Sequence, residues 1–75
     1  MPLIQVTLIE DVFSQAQKQQ IIAKLTDAMV EVEGEAMRSV TWVIIQEARG
    51  GEFGIGGQPL TATDVKALMA SHGSP

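Results

Sequence analysis

Two short stretches of the chain have the apolar pattern of β-strands. Residues 3–9 read LIQVTLI. Because side chains alternate between the two faces of a strand, both faces carry apolar groups here, which is typical of a strand covered on both sides, as in a parallel sheet. Residues 40–46 read VTWVIIQ, and their β-branched and aromatic side chains predict a second strand.

Between these strands, apolar side chains recur every three or four residues, which is the spacing of one face of an α-helix. They are Ile21, Ile22, Leu25, Ala28, Met29 and Val32. The helix should begin after Ser14, because Ser14 and Gln17 have the spacing of a capping box. Gly34 is suited to end it, because glycine tolerates the backbone angles found there. A strand, a helix and a second strand predict a βαβ unit with parallel strands.

After the second strand, the sequence predicts a loop and one short helix. Five glycines lie within residues 50–57 and predict a loop with special backbone angles, either a hairpin or a turn between subunits. Residues 61–71 show a second helical pattern, with Thr61 or Thr63 as the cap. Residues 72–75 are expected to be a frayed tail. We predict a single domain over residues 1–75, because no repeat or linker divides it.

The residue types that the chain lacks exclude most kinds of catalytic mechanism. The chain has 75 residues, no Cys and one His, which is His72 near the end. Thiolate nucleophiles, disulfides and cysteine-based metal sites are therefore excluded, and histidine-based metal sites and Ser-His-Asp triads nearly so. We predict an α/β protein that uses no metal and no cofactor.

Charge and length limit the partners. Five Lys and Arg stand against nine Asp and Glu, and this acidic balance argues against nucleic acid. No apolar run approaches the ~20 residues of a membrane span, and the N-terminus lacks the pattern of a signal peptide, so we expect a cytoplasmic protein with no membrane partner. A chain this short buries only about 60% of its unfolded surface, which favours association with further copies of itself.

Pro2 is a candidate for acid–base chemistry. Removal of Met1 would expose a secondary amine, and an α-amino group has a reference pKa of about 7.7–8.0. Burial in an apolar pocket disfavours the charged form of such an amine and brings it closer to neutral pH, where a general base works best. An N-terminal proline is also common in proteins where it has no such role. If Met1 stays attached, the Pro2 nitrogen is an amide without basicity.

Several segments together resemble the tautomerase superfamily, and most closely its short 4-oxalocrotonate tautomerase branch. They are Pro2 after the first Met, Ser14 to Lys18, Val43 to Glu47, and Phe53 to Gly57. The resemblance covers roughly residues 2 to 60. It implies a β-α-β protomer whose sheet is completed by dimerisation, usually within a homohexamer. It also implies that an amino-terminal proline moves a proton between the oxygen and a carbon of a small enol acid.

Two arginines that the best-known members of this family use for substrate carboxylates are missing at the matching positions. The first position falls at Val12 or Phe13, and the second falls at Trp42. Because a carboxylate favours a bidentate cationic partner, we expect a substrate with one carboxylate or none. Arg38 is the candidate ligand for it, ahead of Arg49 in the turn after the second strand.

Two aromatic residues complete the predicted site. Trp42 would be either a wall of the pocket or a core or interface residue, and its indole N–H can donate to a substrate oxygen. Phe53 matches an aromatic residue that lines the site in the family. The predicted function is a tautomerase with Pro2 as general base and then acid.

Two other functions remain open on this sequence. One is a hydratase or dehalogenase of unsaturated acids, in which protonated Pro2 is the acid and a carboxylate such as Glu47 or Glu52 activates water. The other is a non-catalytic oligomer that binds a small apolar ligand on the same scaffold.

Overall fold

The computed structural model describes residues 2–71. Its elements follow in chain order: β1 (Leu3–Ile9), α1 (Gln15–Glu33), a 3-10 helix (Glu35–Val40), β2 (Trp42–Ala48), β3 (Phe53–Ile55), β4 (Gln58–Leu60) and α2 (Ala62–Ser71). The predicted removal of Met1, the predicted tail at 72–75 and His72 all lie outside the described residues. The β-α-β order that the sequence predicts is confirmed.

β1 and β2 form a two-stranded parallel sheet. The amide of Trp42 donates to the carbonyl of Pro2 at 3.0 Å, and the amide of Glu10 donates to the carbonyl of Ala48 at 2.8 Å. Both bonds have the offset of a parallel ladder, and this register places Leu3 beside Trp42. β2 begins two residues later than predicted, because the segment before it closes a 3-10 turn instead of extending.

α1 begins and ends where the local sequence predicts. The Ser14 hydroxyl accepts from the Gln17 amide at 3.1 Å, and the Gln17 side chain accepts from the Ser14 amide at 2.8 Å. This is the predicted capping box. At the other end, Gly34 has φ 101° and its amide donates to the Val30 carbonyl at 2.8 Å. That positive φ explains why glycine occupies the position.

α2 is capped by Thr61, one of its two predicted caps. The Asp64 amide donates to the Thr61 hydroxyl at 3.3 Å, and the Thr61 amide donates to the Asp64 carboxylate at 3.0 Å. The pair satisfies two backbone donors at the helix N-terminus, and the Asp64 carboxylate also suits the positive end of the helix dipole.

The glycine-rich segment is a β-hairpin, which confirms the first of its two predicted forms. β3 and β4 pair antiparallel, with Phe53 opposite Leu60 and Ile55 opposite Gln58. The two residues between them, Gly56 and Gly57, have φ 57° and 82°. Two successive positive φ values are what a type I′ turn requires, and this turn matches the twist of a hairpin.

The chain clusters into two compact units. One contains β1 up to Thr7, α1, the 3-10 helix and β2 up to Gln46. The other contains residues 8–12 and, among the described residues, 47–71, with the hairpin and α2. The single domain that the sequence suggests stays a prediction.

Within the first unit, one face of the sheet is covered and the other is open. The even-numbered residues of β1 and the odd-numbered residues at the start of β2 are half-buried, and so is the stripe of α1 that carries Val30. The opposite face carries the side chains of Leu3, Trp42 and Ile44, which are 54%, 54% and 38% exposed. We call these three residues the open sheet face. Among residues 2–71, the only hydrophobic residues buried in this single chain are Ile9 and Val30.

Within the described residues, no helix combines the length and apolar character needed to cross a bilayer.

Candidate functional site

Pro2 is held in place by the sheet that follows it. It is half-buried, and its carbonyl accepts the Trp42 amide at 3.0 Å. Because the pyrrolidine ring is rigid and the carbonyl is tied to β2, the backbone at Pro2 has little remaining freedom. The structure therefore brings together two of the predicted site residues, which are forty positions apart in the sequence.

The open sheet face gives this end of the sheet an apolar surface. Leu3 follows Pro2 directly, and the strand register places Trp42 beside it. Ile44 lies two residues further along the same face of β2. An aromatic and two aliphatic side chains exposed together favour contact with an apolar group, in either a ligand or another protein surface.

Arg38 lies in the 3-10 helix and is held by two carboxylates. Its Nε and Nη2 donate to the two carboxylate oxygens of Glu35 at 2.8 and 3.3 Å, and its Nη1 donates to Asp27 at 2.8 Å. The hydrogen bond from Arg38 lowers the pKa of the Glu35 carboxyl below its ordinary value. The bonds to Glu35 and then Asp27 raise the pKa of Arg38 further above its ordinary value, so the guanidinium stays charged. Three of its five N–H groups are occupied by these bonds.

Thr41 ties the turn before β2 to the end of α1. Its hydroxyl oxygen lies 2.5 Å from a carboxylate oxygen of Glu33 and 2.8 Å from the carbonyl oxygen of Met37. Its amide donates to the carbonyl of Arg38 at 3.2 Å. Thr41, the residue that precedes Trp42, therefore links the end of α1 to the 3-10 helix.

Sequence reasoning missed Thr41 and Glu33 as a pair. Thr41 falls within a β-branched run that predicts a strand, and Glu33 reads as an ordinary charged residue near a helix end. The 3-10 helix between them turns the chain back toward α1, and no pattern in these residues predicts that helix.

Phe53 belongs to the second unit, which is described by itself. It is half-buried at the start of β3 and pairs with Leu60. The Gly51 amide donates to the Leu60 carbonyl at 2.7 Å, and the Gly50 amide donates to the Glu10 carboxylate at 3.0 Å. These bonds hold the loop that leads into β3, the strand on which Phe53 lies.

Val12 or Phe13 stands where the resemblance places a family arginine, and Arg49 is the second candidate cation of the sequence. Val12 and Phe13 are half-buried in the bend between β1 and α1, which apolar side chains suit better than an arginine. Arg49 is exposed, and its carbonyl accepts the Glu52 amide at 3.0 Å in the turn after β2.

Comparisons with known proteins agree on one family. The family model described as Tautomerase enzyme matches residues 2–63. A protein of Ralstonia nicotianae that bears the name Probable tautomerase is 47% identical over 62 residues, which is 83% of this chain and 86% of that protein.

Solved structures show the same likeness in three dimensions. The crystal structure of apo unfused 4-OT has a TM-score of 0.71 and 36% sequence identity, and the match covers 79% of this chain and 93% of that one. The crystal structure of DmpI from Helicobacter pylori has a TM-score of 0.69 and 32% identity, over 77% of this chain and 94% of that one.

Proposed function

The chain belongs to the tautomerase family and is an enzyme of the isomerase class, and on that premise we propose that it moves a proton between the enol oxygen and a carbon of a small enol or 2-keto acid. Pro2 is the general base and then the general acid of this reaction. The observation that carries the proposal is the hydrogen bond between the Trp42 amide and the Pro2 carbonyl. This bond holds Pro2 at a defined place directly before β1 and beside the start of β2. The proposal requires the removal of Met1, which turns the Pro2 nitrogen into a secondary amine.

The proton transfer balances within the substrate and one amine. The neutral amine of Pro2 takes the proton of the enol hydroxyl and leaves an enolate. The oxygen electron pair then forms the carbonyl bond, and the pair of the carbon–carbon double bond becomes the bond to the proton that the carbon receives. The protonated amine then returns the proton to the carbon. Pro2 is half-buried, and partial desolvation favours the neutral form of an amine, which is the form that can act as a base.

Three further residues are proposed to bind the substrate. Trp42 offers an apolar ring and an indole N–H, and Phe53 would add a second aromatic wall. Arg38 has two N–H groups beyond its bonds to carboxylates, which suffice to bind one carboxylate. Together they favour a substrate with an apolar or aromatic group and at most one carboxylate, such as an arylpyruvate.

We also propose that the working enzyme is a homo-oligomer in the cytoplasm, with a dimer as the building block of a hexamer. The open sheet face supports this part of the proposal, because Leu3 and Ile44 expose apolar surface beside Trp42 that a second copy can cover. A mass spectrum recorded under native conditions measures the assembly directly. A monomer at micromolar concentration would contradict it.

The experiment that tests the activity combines intact mass with kinetics. We expect the purified protein to lack Met1 and to turn over phenylenolpyruvate faster than 2-hydroxymuconate. Pro2→Ala should lower kcat/KM at least ~100-fold, in the range that a general acid–base residue contributes. Pro59→Ala, a proline in β4, is the matched control and should keep the wild-type rate. A processed protein without Pro2-dependent turnover of any enol would instead favour a non-catalytic ligand-binding oligomer.

A further inference from the structure

Asp27, Glu35 and Arg38 form a cluster that we call the guanidinium clamp. Both carboxylate oxygens of Glu35 accept hydrogen bonds from one edge of the guanidinium. Asp27, which lies on α1, accepts a hydrogen bond from Nη1 through its Oδ1 at 2.8 Å. A bidentate pair with a second carboxylate is stronger than an isolated surface ion pair, because the planar guanidinium matches the carboxylate geometry. The clamp links α1 to the 3-10 helix across eleven positions of sequence.

Arg38, the cation of the clamp, lies four residues before Trp42, whose amide donates to the Pro2 carbonyl. The Arg38 carbonyl accepts the Thr41 amide at 3.2 Å, and the next residue, Trp42, donates its own amide to Pro2. Arg38 is the cation of this segment, and its two carboxylates outnumber it. The summed charge of the three side chains is therefore negative, and the two carboxylates weaken the attraction of Arg38 for an incoming carboxylate.

Resting on the proposed function, we propose that Asp27 and Glu35 are specificity residues that act through Arg38. By occupying its guanidinium they reduce its attraction for substrate carboxylates, and so they select uncharged or singly charged substrates over dicarboxylates. The arginines expected from the resemblance at Val12 or Phe13 and at Trp42 would add positive charge, and the clamp weakens the effect of a positive charge that the chain does have. Both differences change substrate selection in the same direction.

The three side chains of the clamp are exposed to solvent, which limits how strongly they change substrate selection and makes that change depend on salt. The side chains of Arg38, Asp27 and Glu35 are 44%, 63% and 74% exposed. Charges at such positions are screened by salt, with a Debye length of about 10 Å at 0.1 M ionic strength. The selectivity should therefore weaken as salt is added.

A binding series of increasing charge tests the proposal without relying on turnover. Phenylacetamide, phenylacetate and phenylmalonate share a phenyl group and carry no, one and two negative charges at neutral pH. We would titrate each into the isotope-labelled full chain and follow its amide signals by NMR. For Asp27→Asn with Glu35→Gln, Kd should fall about 10-fold for phenylmalonate and about 3-fold for phenylacetate, from the small gain that each exposed charge contributes. Kd for phenylacetamide should not change.

Two controls separate this role from a purely structural one. Glu31→Gln removes a carboxylate from the same helix without touching Arg38, and it should leave all three Kd values unchanged within about 1.5-fold. In an Arg38→Gln background, the double variant should no longer change Kd, because the two carboxylates act only through Arg38.

Kinetics then distinguish this proposal from the proposed reaction. Asp27→Asn with Glu35→Gln should lower KM for 2-hydroxymuconate and leave kcat and the turnover of the methyl ester of phenylenolpyruvate unchanged. A Pro2-dependent enzyme whose clamp variants bind phenylmalonate no better than wild type would overturn the clamp and leave the reaction standing. Improved phenylmalonate binding without any Pro2-dependent turnover would overturn the reaction and keep the clamp.

Discussion

The amide of Trp42 donates to the carbonyl of Pro2 at 3.0 Å, which joins the first residue of β2 to the residue before β1. This bond is the first of the parallel ladder between β1 and β2, and it positions the backbone of Pro2 relative to β2. Trp42 therefore has two separate contributions: its backbone positions Pro2, and its side chain lies on the open sheet face beside Leu3. Substitution of the Trp42 side chain leaves the backbone bond possible, so the two contributions can be separated by experiment.

Trp42→Arg should change the preferred charge of the substrate. An arginine here can form charge-assisted hydrogen bonds to a carboxylate, and such bonds contribute about 1.5–3 kcal/mol. We expect the ratio of kcat/KM for 2-hydroxymuconate to kcat/KM for phenylenolpyruvate to rise at least ~10-fold. Trp42→Gln is the control, since it removes the ring without adding charge. An equal rise in both variants would show that the ring hinders dicarboxylates and that the charge adds nothing.

Thr41→Val should loosen the turn that leads into β2. The substitution keeps the branched shape and removes the hydroxyl that lies between Glu33 and Met37. We expect the free energy of unfolding to fall by about 1–3 kcal/mol, the cost of losing a hydrogen bond to a partly buried charged group. We also expect kcat to fall, because the turn positions the Trp42 amide. Both quantities can be measured by urea unfolding and steady-state kinetics.

Thr41→Ser keeps the hydroxyl and serves as the matched variant. It should recover most of the stability and of kcat. Wild-type behaviour of Thr41→Val would show that the bond to Glu33 contributes nothing in solution.

The two hairpin glycines should differ in their tolerance of substitution. Type I′ turns accept Asn at the first position, so Gly56→Asn should leave stability nearly unchanged. Gly57→Ala forces a Cβ into φ 82° and should cost about 1–2 kcal/mol. Hydrogen exchange at the Gly51 amide, which donates to the Leu60 carbonyl beside the hairpin, reports local opening. Faster exchange in Gly56→Asn than in Gly57→Ala would contradict the assigned turn.

The link between Glu35 and Arg38 should disappear in acid. The pKa of the Glu35 carboxyl is lowered in the folded protein, because the hydrogen bond from Arg38 stabilises the charged form. A group with a depressed folded pKa stabilises the protein above its unfolded pKa, and that contribution is lost as pH falls through the folded pKa. The difference in unfolding free energy between wild type and Glu35→Gln should therefore be constant near neutral pH and shrink below pH 4.5, the ordinary pKa of this carboxyl.

A pH series of urea unfolding curves measures this difference, and Glu31→Gln provides the comparison. Added salt should reduce the neutral-pH difference, since the pair is exposed. A difference that grows toward acid pH would contradict the lowered pKa.

Features that depend on neighbouring residues were predictable from the sequence. The capping box at Ser14, the end of α1 at Gly34 and the hairpin at Gly56 and Gly57 each involve residues only a few positions apart. Their hydrogen bonds close within one turn of chain, so residue type and spacing determine them. The β-α-β order follows from hydrophobic periodicity for the same reason.

The candidate site depends on longer connections. Pro2 meets Trp42 across forty positions, Arg38 meets Asp27 across eleven, and Thr41 meets Glu33 through a 3-10 helix that no pattern predicts. Sequence reasoning could propose Pro2, Trp42 and Arg38 as separate candidates. It had no means to find that two carboxylates hold Arg38, because that contact depends on the direction in which the chain leaves α1.

By itself, then, the amino-acid sequence determined the kinds of chemistry available: no thiol, one histidine near the end, few cations and a proline at position 2. It also determined the order of β1, α1, β2 and α2 and the bounds of β1 and α1, because these follow from local propensity and periodicity. Only the tertiary structure decided which side chains meet. The turn between α1 and β2 brings the Trp42 amide into hydrogen-bond contact with the Pro2 carbonyl, and it places Arg38 between Asp27 and Glu35. These contacts exist only in the folded chain.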